Sequence, residues 1–148
     1  MNPVIRPATI DDMDSLVSLM NYLLSIDGDF PNSEENQRRG FEMVINSDKA
    51  WVFVIESAGK IEGMCSMFSF ISTVQGGYVG MIEDVVVKEE VAGQGLGQQL
   101  LEYAEKFAIE KGLSRLQLMV DKDNETARSF YEKMDWEKTS FIGYRKYI

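Results

Sequence analysis

The stretch Gly80–Leu101, GMIEDVVVKEEVAGQGLGQQLL, decides the fold. Met81-Ile82-Glu83-Asp84-Val85-Val86-Val87 reads as an apolar strand, and Lys88-Glu89-Glu90 as a short polar turn. Three glycines at alternate positions, Gly93, Gly95 and Gly97, then open directly into an amphipathic helix. Glycine lacks a Cβ and tolerates positive φ, so the backbone can curl tightly and approach a ligand closely. The first amides of a helix have no partner inside it, and its dipole favours an anion there. Strand, glycine turn and helix together make a phosphate cradle. A P-loop would end in Gly-Lys-Ser/Thr, but Gln98 and Gln99 follow Gly97. The dinucleotide fingerprint G-x-G-x-x-G fails from either start, at Gln98 or at Leu100. The nearest acidic residue downstream, Asp121, begins a loop instead of ending a strand.

Composition bounds what surrounds this cradle. The chain has 148 residues, the size of one domain, 1–148. Its 45% hydrophobic content supplies a core, and 26% charged residues argue against disorder. Apolar runs stay well below the ~18 residues a membrane span requires, and no secretory signal is visible at Met1-Asn2-Pro3-Val4. A single cysteine, Cys65, excludes an internal disulfide and suits a reducing cytoplasm. There is no histidine. Histidine triads and an imidazole base are therefore excluded, and no metal site is expected. The net charge of −9 repels nucleic-acid phosphates and favours a cationic substrate.

Outward from the cradle, periodicity gives the remaining elements. Val4-Ile5-Arg6 reads as a first strand. Thr9 caps a helix, with Asp12 in the capping-box position and Met13, Leu16, Val17, Met20, Leu23 and Leu24 at helical spacing. Ser33 starts a second helix carrying Phe41, Val44 and Ile45. Trp51–Ile55 and Ile61–Thr73 are strands joined at Ser57–Lys60, with Gly63 a candidate bulge. A helix from Gln98 to Lys111 ends at Gly112. Leu116, Leu118 and Val120 then return beside the central strand by a right-handed crossover. Asn124 or Asp123 caps a last helix, and strands are expected near Trp136 and over Ser140–Tyr147. The expected class is α/β (α+β): a mixed, mostly antiparallel sheet of about six to seven strands, with helices on both faces.

The loop before the helix has the form Gln/Arg-x-x-Gly-x-Gly/Ala, with Ala92 at the Arg/Gln position. Asn124-Glu125-Thr126-Ala127-Arg128-Ser129-Phe130-Tyr131-Glu132-Lys133-Met134-Asp135-Trp136 is similar to N-x-x-A-x-x-F-Y-E-K-x-G-F. Both segments, in this order and separation, resemble the GNAT N-acetyltransferases, and the resemblance covers the whole chain. It implies a GNAT-like single domain with a central parallel strand pair splayed at an acetyl-CoA site. It also implies an acyltransferase that moves an acetyl group from acetyl-CoA to an amine.

An alkyl ammonium has a pKa of about 10.4, so a base must take its proton, and the departing thiolate benefits from an acid. A carboxylate among apolar residues of a central strand is costly unless employed. Glu83 is the candidate base and also a substrate contact; the polyamine-type enzymes of the family carry a similar run. By strand alternation Asp84 faces the other way, as a structural carboxylate. Tyr131 is the candidate acid, against a plain core role that its spacing also allows. The resemblance assigns the coenzyme's pantetheine and pyrophosphate to Val85, Val86, Val87, Ala92, Gly93, Gln94, Gly95, Leu96, Gly97, Gln98, Asn124 and Ser129. Asp27 and Asp29, in the segment that walls the acceptor site in the family, are candidates for a cationic amine. Cys65, in an apolar strand, reads as an inert thiol, so transfer would be direct, in a ternary complex. The acceptor is open among polyamines, amino acids and antibiotic-like amines. A protein N-terminus or lysine is an alternative acceptor, and a non-catalytic acyl-CoA-binding or sensing module an alternative function. The resemblance admits a homodimer, though no residue here shows one; no nucleic acid or membrane partner is expected.

Overall fold

The computed structural model describes residues 2–26 and 33–148. The chain divides into two compact units, Met1–Gln117 and Leu118–Ile148. In the first, β1 (Val4–Pro7) leads through a 3-10 turn (Ile10–Asp12) into α1 (Met13–Ile26). Then come α2 (Glu34–Ile45), β2 (Ala50–Ser57), β3 (Lys60–Ser72), β4 (Gly77–Val87), a 3-10 turn (Glu89–Val91) and α3 (Leu96–Glu110). β5 (Leu116–Leu118) lies at the boundary, and α4 (Glu125–Lys133) belongs to the second unit.

The sheet order is β1-β2-β3-β4-β5, with the first three pairings antiparallel. The strand after the α3 crossover makes it mixed. Among the described residues five strands replace the six to seven expected. Among the described residues no strand forms at Trp136 or over Ser140–Tyr147. Phe141, Ile142, Tyr144 and Tyr147 alternate or cluster as a strand would, yet all are exposed. Alternation alone does not give a strand a partner for its N–H and C=O groups. β5 stops at Leu118 because Met119, at 77% exposure, and Val120 face solvent.

Both faces of the first unit's sheet are covered, which explains the unbroken apolar runs of its central strands. Val52, Val54, Met64 and Val86 pack with Leu16, Val17 and Leu19 of α1 and Phe41 of α2. Phe53 meets Tyr103 and Phe107 of α3 edge-on, at 5.2 and 4.8 Å between ring centroids. Leu100, Leu101, Ala104 and Ala108 are the buried stripe of α3, and each apolar face so buried contributes about 25 cal/mol per Å².

Local chemistry sets the ends. The Thr9 amide donates to the Asp12 carboxylate at 2.8 Å, as the capping-box reading requires. The first turn is nonetheless 3-10, so α1 begins at Met13. Gly112, at φ 78°, ends α3: its amide reaches the Ile109 carbonyl, and the Leu113 amide reaches that of Ala108. The irregularity expected at Gly63 falls one residue earlier. Ile55 pairs with Gly63 and Glu56 with Ile61, leaving Glu62 as the extra residue.

Candidate functional site

A second register shift lies in β4. Cys65 pairs with Val85, but Met67 pairs with Ile82, so Glu83 and Asp84 together oppose Ser66. Directly opposed residues of an antiparallel pair share a face. Val86, opposite Met64, therefore faces α1 and α2, while Ile82, opposite Met67, faces the other way. Four residues apart they would share a face in a regular strand; the bulge inverts the parity between them. Glu83 and Asp84 consequently line the same groove. This corrects the expectation that alternation turns Asp84 away from Glu83.

The groove holds about 620 Å³. Met20 of α1 and Phe41, Met43 and Val44 of α2 form one wall, and Val52, Ser66 and Phe68 the sheet side. The Ser66 hydroxyl donates to Asp84 Oδ2 at 2.7 Å and accepts from the Asp84 amide at 3.0 Å. Burial pushes the Asp84 carboxyl up, the Ser66 hydrogen bond partly offsets this, and the Glu83 charge adds to the rise. Behind it, burial pushes the Cys65 thiol up to about 12, with a further push from Asp84. A smaller hollow of about 360 Å³ is bordered by Arg6, Asp12, Glu56 and Lys88, all in ion pairs: Arg6 with Asp12 at 2.8 Å and Glu56 at 3.0 Å, and Lys88 with Glu62 at 3.3 Å.

β4 runs on into the glycine turn. Gly93 and Gly95 adopt φ 79° and 81°, the left-handed region where a side chain is strained. A Cβ built on either meets nothing within 4 Å, so space is open beside both. Gly95 is the N-cap of α3 and has no side-chain cap. Among the described residues, no protein acceptor is recorded for the amides from Gly93 to Gln98. The turn thus offers a row of donors at the positive end of a fifteen-residue helix. That donor set fits a pyrophosphate. Ala92 differs: its amide already donates to the Glu89 carbonyl at 3.1 Å. The Gln98 side chain turns along the helix to Glu102 at 2.8 Å. Val85, Val86 and Val87 pair with β3 on one edge, and β5, three residues long, is much shorter than the eleven of β4.

In the second unit, Asn124 caps α4, its Oδ1 accepting from the Ala127 amide at 3.1 Å. Tyr131 is half-buried between Phe130 and Trp136, at 5.2 and 6.0 Å between centroids. Ser129 is exposed. Asp135 has φ 65° where the resembling segment has glycine, and the Trp136 amide closes back on the Tyr131 carbonyl at 3.0 Å. Asp27 and Asp29 lie outside the described residues. The sequence reading missed the Ser66–Asp84 pair, because a hydroxyl in an apolar strand carries no signal until its cross-strand neighbour is known.

The model of the acetyltransferase (GNAT) family matches residues 17–136. The chain belongs to the GNAT family. An uncharacterized N-acetyltransferase of Archaeoglobus fulgidus is 30% identical over 135 residues, 88% of this chain and 90% of that protein. The aminoalkylphosphonate N-acetyltransferase of Salmonella typhimurium is 26% identical, over 93% of this chain and 86% of its own. Among solved structures, a transcriptional regulator from Bacillus halodurans superposes at a TM-score of 0.87, with 26% identity, 99% of this chain and 100% of that one covered. An aminoglycoside N-acetyltransferase in complex with CoA shares the fold at a TM-score of 0.85 and 16% identity, with 98% and 95% covered. The GNAT chain described here is accordingly an acetyl-CoA-dependent acyltransferase. No helix among the described residues is long and apolar enough to cross a membrane.

Proposed function

We propose that residues 1–148 act as one N-acetyltransferase domain that transfers acetyl from acetyl-CoA directly to a primary amine of a small molecule. The observation that carries this reading is the β4 bulge, which turns Glu83 into a groove on the strand that then delivers the glycine cradle. Acetyl-CoA supplies an activated thioester. The reaction exchanges its C–S bond for a C–N bond, so the amine must lose a proton and the sulfur must gain one. Glu83 takes the first proton, alone or through a water, and Tyr131 supplies the second. The amides of Gly93, Gln94, Gly95, Leu96, Gly97 and Gln98 hold the pyrophosphate. The backbone of Val85, Val86 and Val87 and the side chains of Asn124 and Ser129 serve the pantetheine arm. Ala92, its amide engaged, shapes the turn and donates nothing.

Direct transfer is supported by Cys65, which is fully buried and too weakly acidic to serve as an acetyl carrier. A small acceptor is supported by the groove, whose volume lies in the range of small-molecule sites. It is supported too by relatives named for an aminoalkylphosphonate and for aminoglycosides. A single cysteine suits a reducing cytoplasm as the setting of the reaction. Thiol release from acetyl-CoA tests the reading. Glu83→Gln should lower kcat by about 100-fold or more and leave the acetyl-CoA Kd unchanged. Tyr131→Phe should lower kcat while sparing that Kd. Coenzyme binding that falls in step with turnover would refute these roles, and binding without turnover on any amine would leave a sensing module.

A further inference from the structure

We propose that the acceptor is a monocationic primary amine on an apolar body, an alkyl- or arylalkylamine, with its nitrogen at Glu83 and Asp84 and its body along the α1–α2 wall. The inference rests on the reading of this groove as the acceptor site. The bulge gathers Glu83 and Asp84 at one place, while among the described residues Met20, Phe41, Met43, Val44 and Phe68 make most of the remaining lining apolar. Among the described residues no lysine or arginine lines it. A phosphonate or carboxylate on the acceptor would therefore enter with no counter-charge, against two negative groups. A sugar would need partners for many hydroxyls, and leaving them unpaired costs about 1–3 kcal/mol each. Among the described residues the polar lining beyond the carboxylates is Gln37, Ser47 and Ser66, and Ser66 is committed to Asp84. A single ammonium suits the site best. Ser66 fixes Oδ2 of Asp84 and leaves Oδ1 as the acceptor for a cation. The two methionines give the wall the adaptability that a flexible chain or a flat ring needs.

Thiol-release rates with acetyl-CoA decide the matter across propylamine, hexylamine, phenethylamine, spermidine, 2-aminoethylphosphonate and kanamycin. kcat/KM should rise along the alkylamines by up to about 4-fold per methylene, the equivalent of ~0.8 kcal/mol. Phenethylamine should rank with hexylamine, and the last three acceptors should fall at least about 10-fold behind. Met43 is 68% exposed, so Met43→Lys leaves the core intact. It should lower kcat/KM for hexylamine about 10-fold by placing a like charge in the wall, with the acetyl-CoA Kd unchanged. Rates indifferent to chain length, or led by the phosphonate, the aminoglycoside or the polyamine, would overturn the apolar-amine class and leave acetyl transfer standing. No turnover with any of the six, with acetyl-CoA bound, would overturn the acetyl-transfer reading itself.

Discussion

Two carboxylates in the first unit answer pH in opposite directions. Burial holds Asp84 above its unfolded pKa, so the folded chain binds that proton more readily than the unfolded one. Its contribution to stability is full below about 3.9 and declines as pH rises through the folded value. Asp84→Asn removes that decline. A thermal melt should show the variant a few degrees above wild type near neutral pH, with the gap closing at about pH 4; no gap at neutral pH would contradict the burial argument. Asp12 is the reverse case. The Arg6 guanidinium holds it below the ordinary carboxylate range, so its contribution is present above about 3.9 and is lost as pH falls through the folded value. Asp12→Asn should cost about 1–2 kcal/mol in urea melts at neutral pH, and much less in acid. A bulge beside Gly63 was legible from the glycine's place in an apolar strand, though the extra residue is Glu62. Why position 63 must be glycine was not: a Cβ there would come within 2.8 Å of the Val86 carbonyl oxygen. Gly63→Ala should therefore destabilise by about 1–3 kcal/mol.

The glycine turn was readable as an element because spacing and composition are local properties. Three glycines at alternate positions before a helix specify positive φ and open amides whatever packs nearby. The structure bears this out at Gly93 and Gly95, whereas Gly97 lies within the first turn of α3 and has no positive φ. Gly112 offers a matched control, with φ 78° against 81° at Gly95 and open space around both. Alanine at either should cost about 1 kcal/mol of stability, since the left-handed strain is the same. Only Gly95→Ala should weaken acetyl-CoA binding, by about 10-fold in calorimetry, because only its Cβ would occupy the cradle. Equal Kd values for the two variants would remove the turn from the coenzyme site. The strand before it was legible only in part. Its existence followed from its apolar run, but the bulge at Glu83 and Asp84 depends on where β3 places Ser66, and no feature of Ile82-Glu83-Asp84-Val85 announces it.

Across the first unit, the core is a sheet sandwiched between α1 and α2 on one face and α3 on the other. Phe53, fully buried and in contact with two rings of α3, anchors the second interface. Phe53→Ala should cost about 3–5 kcal/mol in denaturant melts. The distant pairings of β2, β3 and β4 were inferable because hairpins join neighbours in order. The chain's end was misread as strands because periodicity records which side chains alternate and is silent on whether another strand receives their backbone groups.

By itself the sequence determined the order of helices and strands as far as α4, the glycine turn and the family chemistry, since each rests on residues close together in the chain. Only the tertiary structure decided that Glu83 and Asp84 share one groove and that Ser66 holds the second carboxylate. It also decided that the sheet has five strands among the described residues. These depend on register between segments far apart in sequence, and register is set by packing that no local pattern encodes.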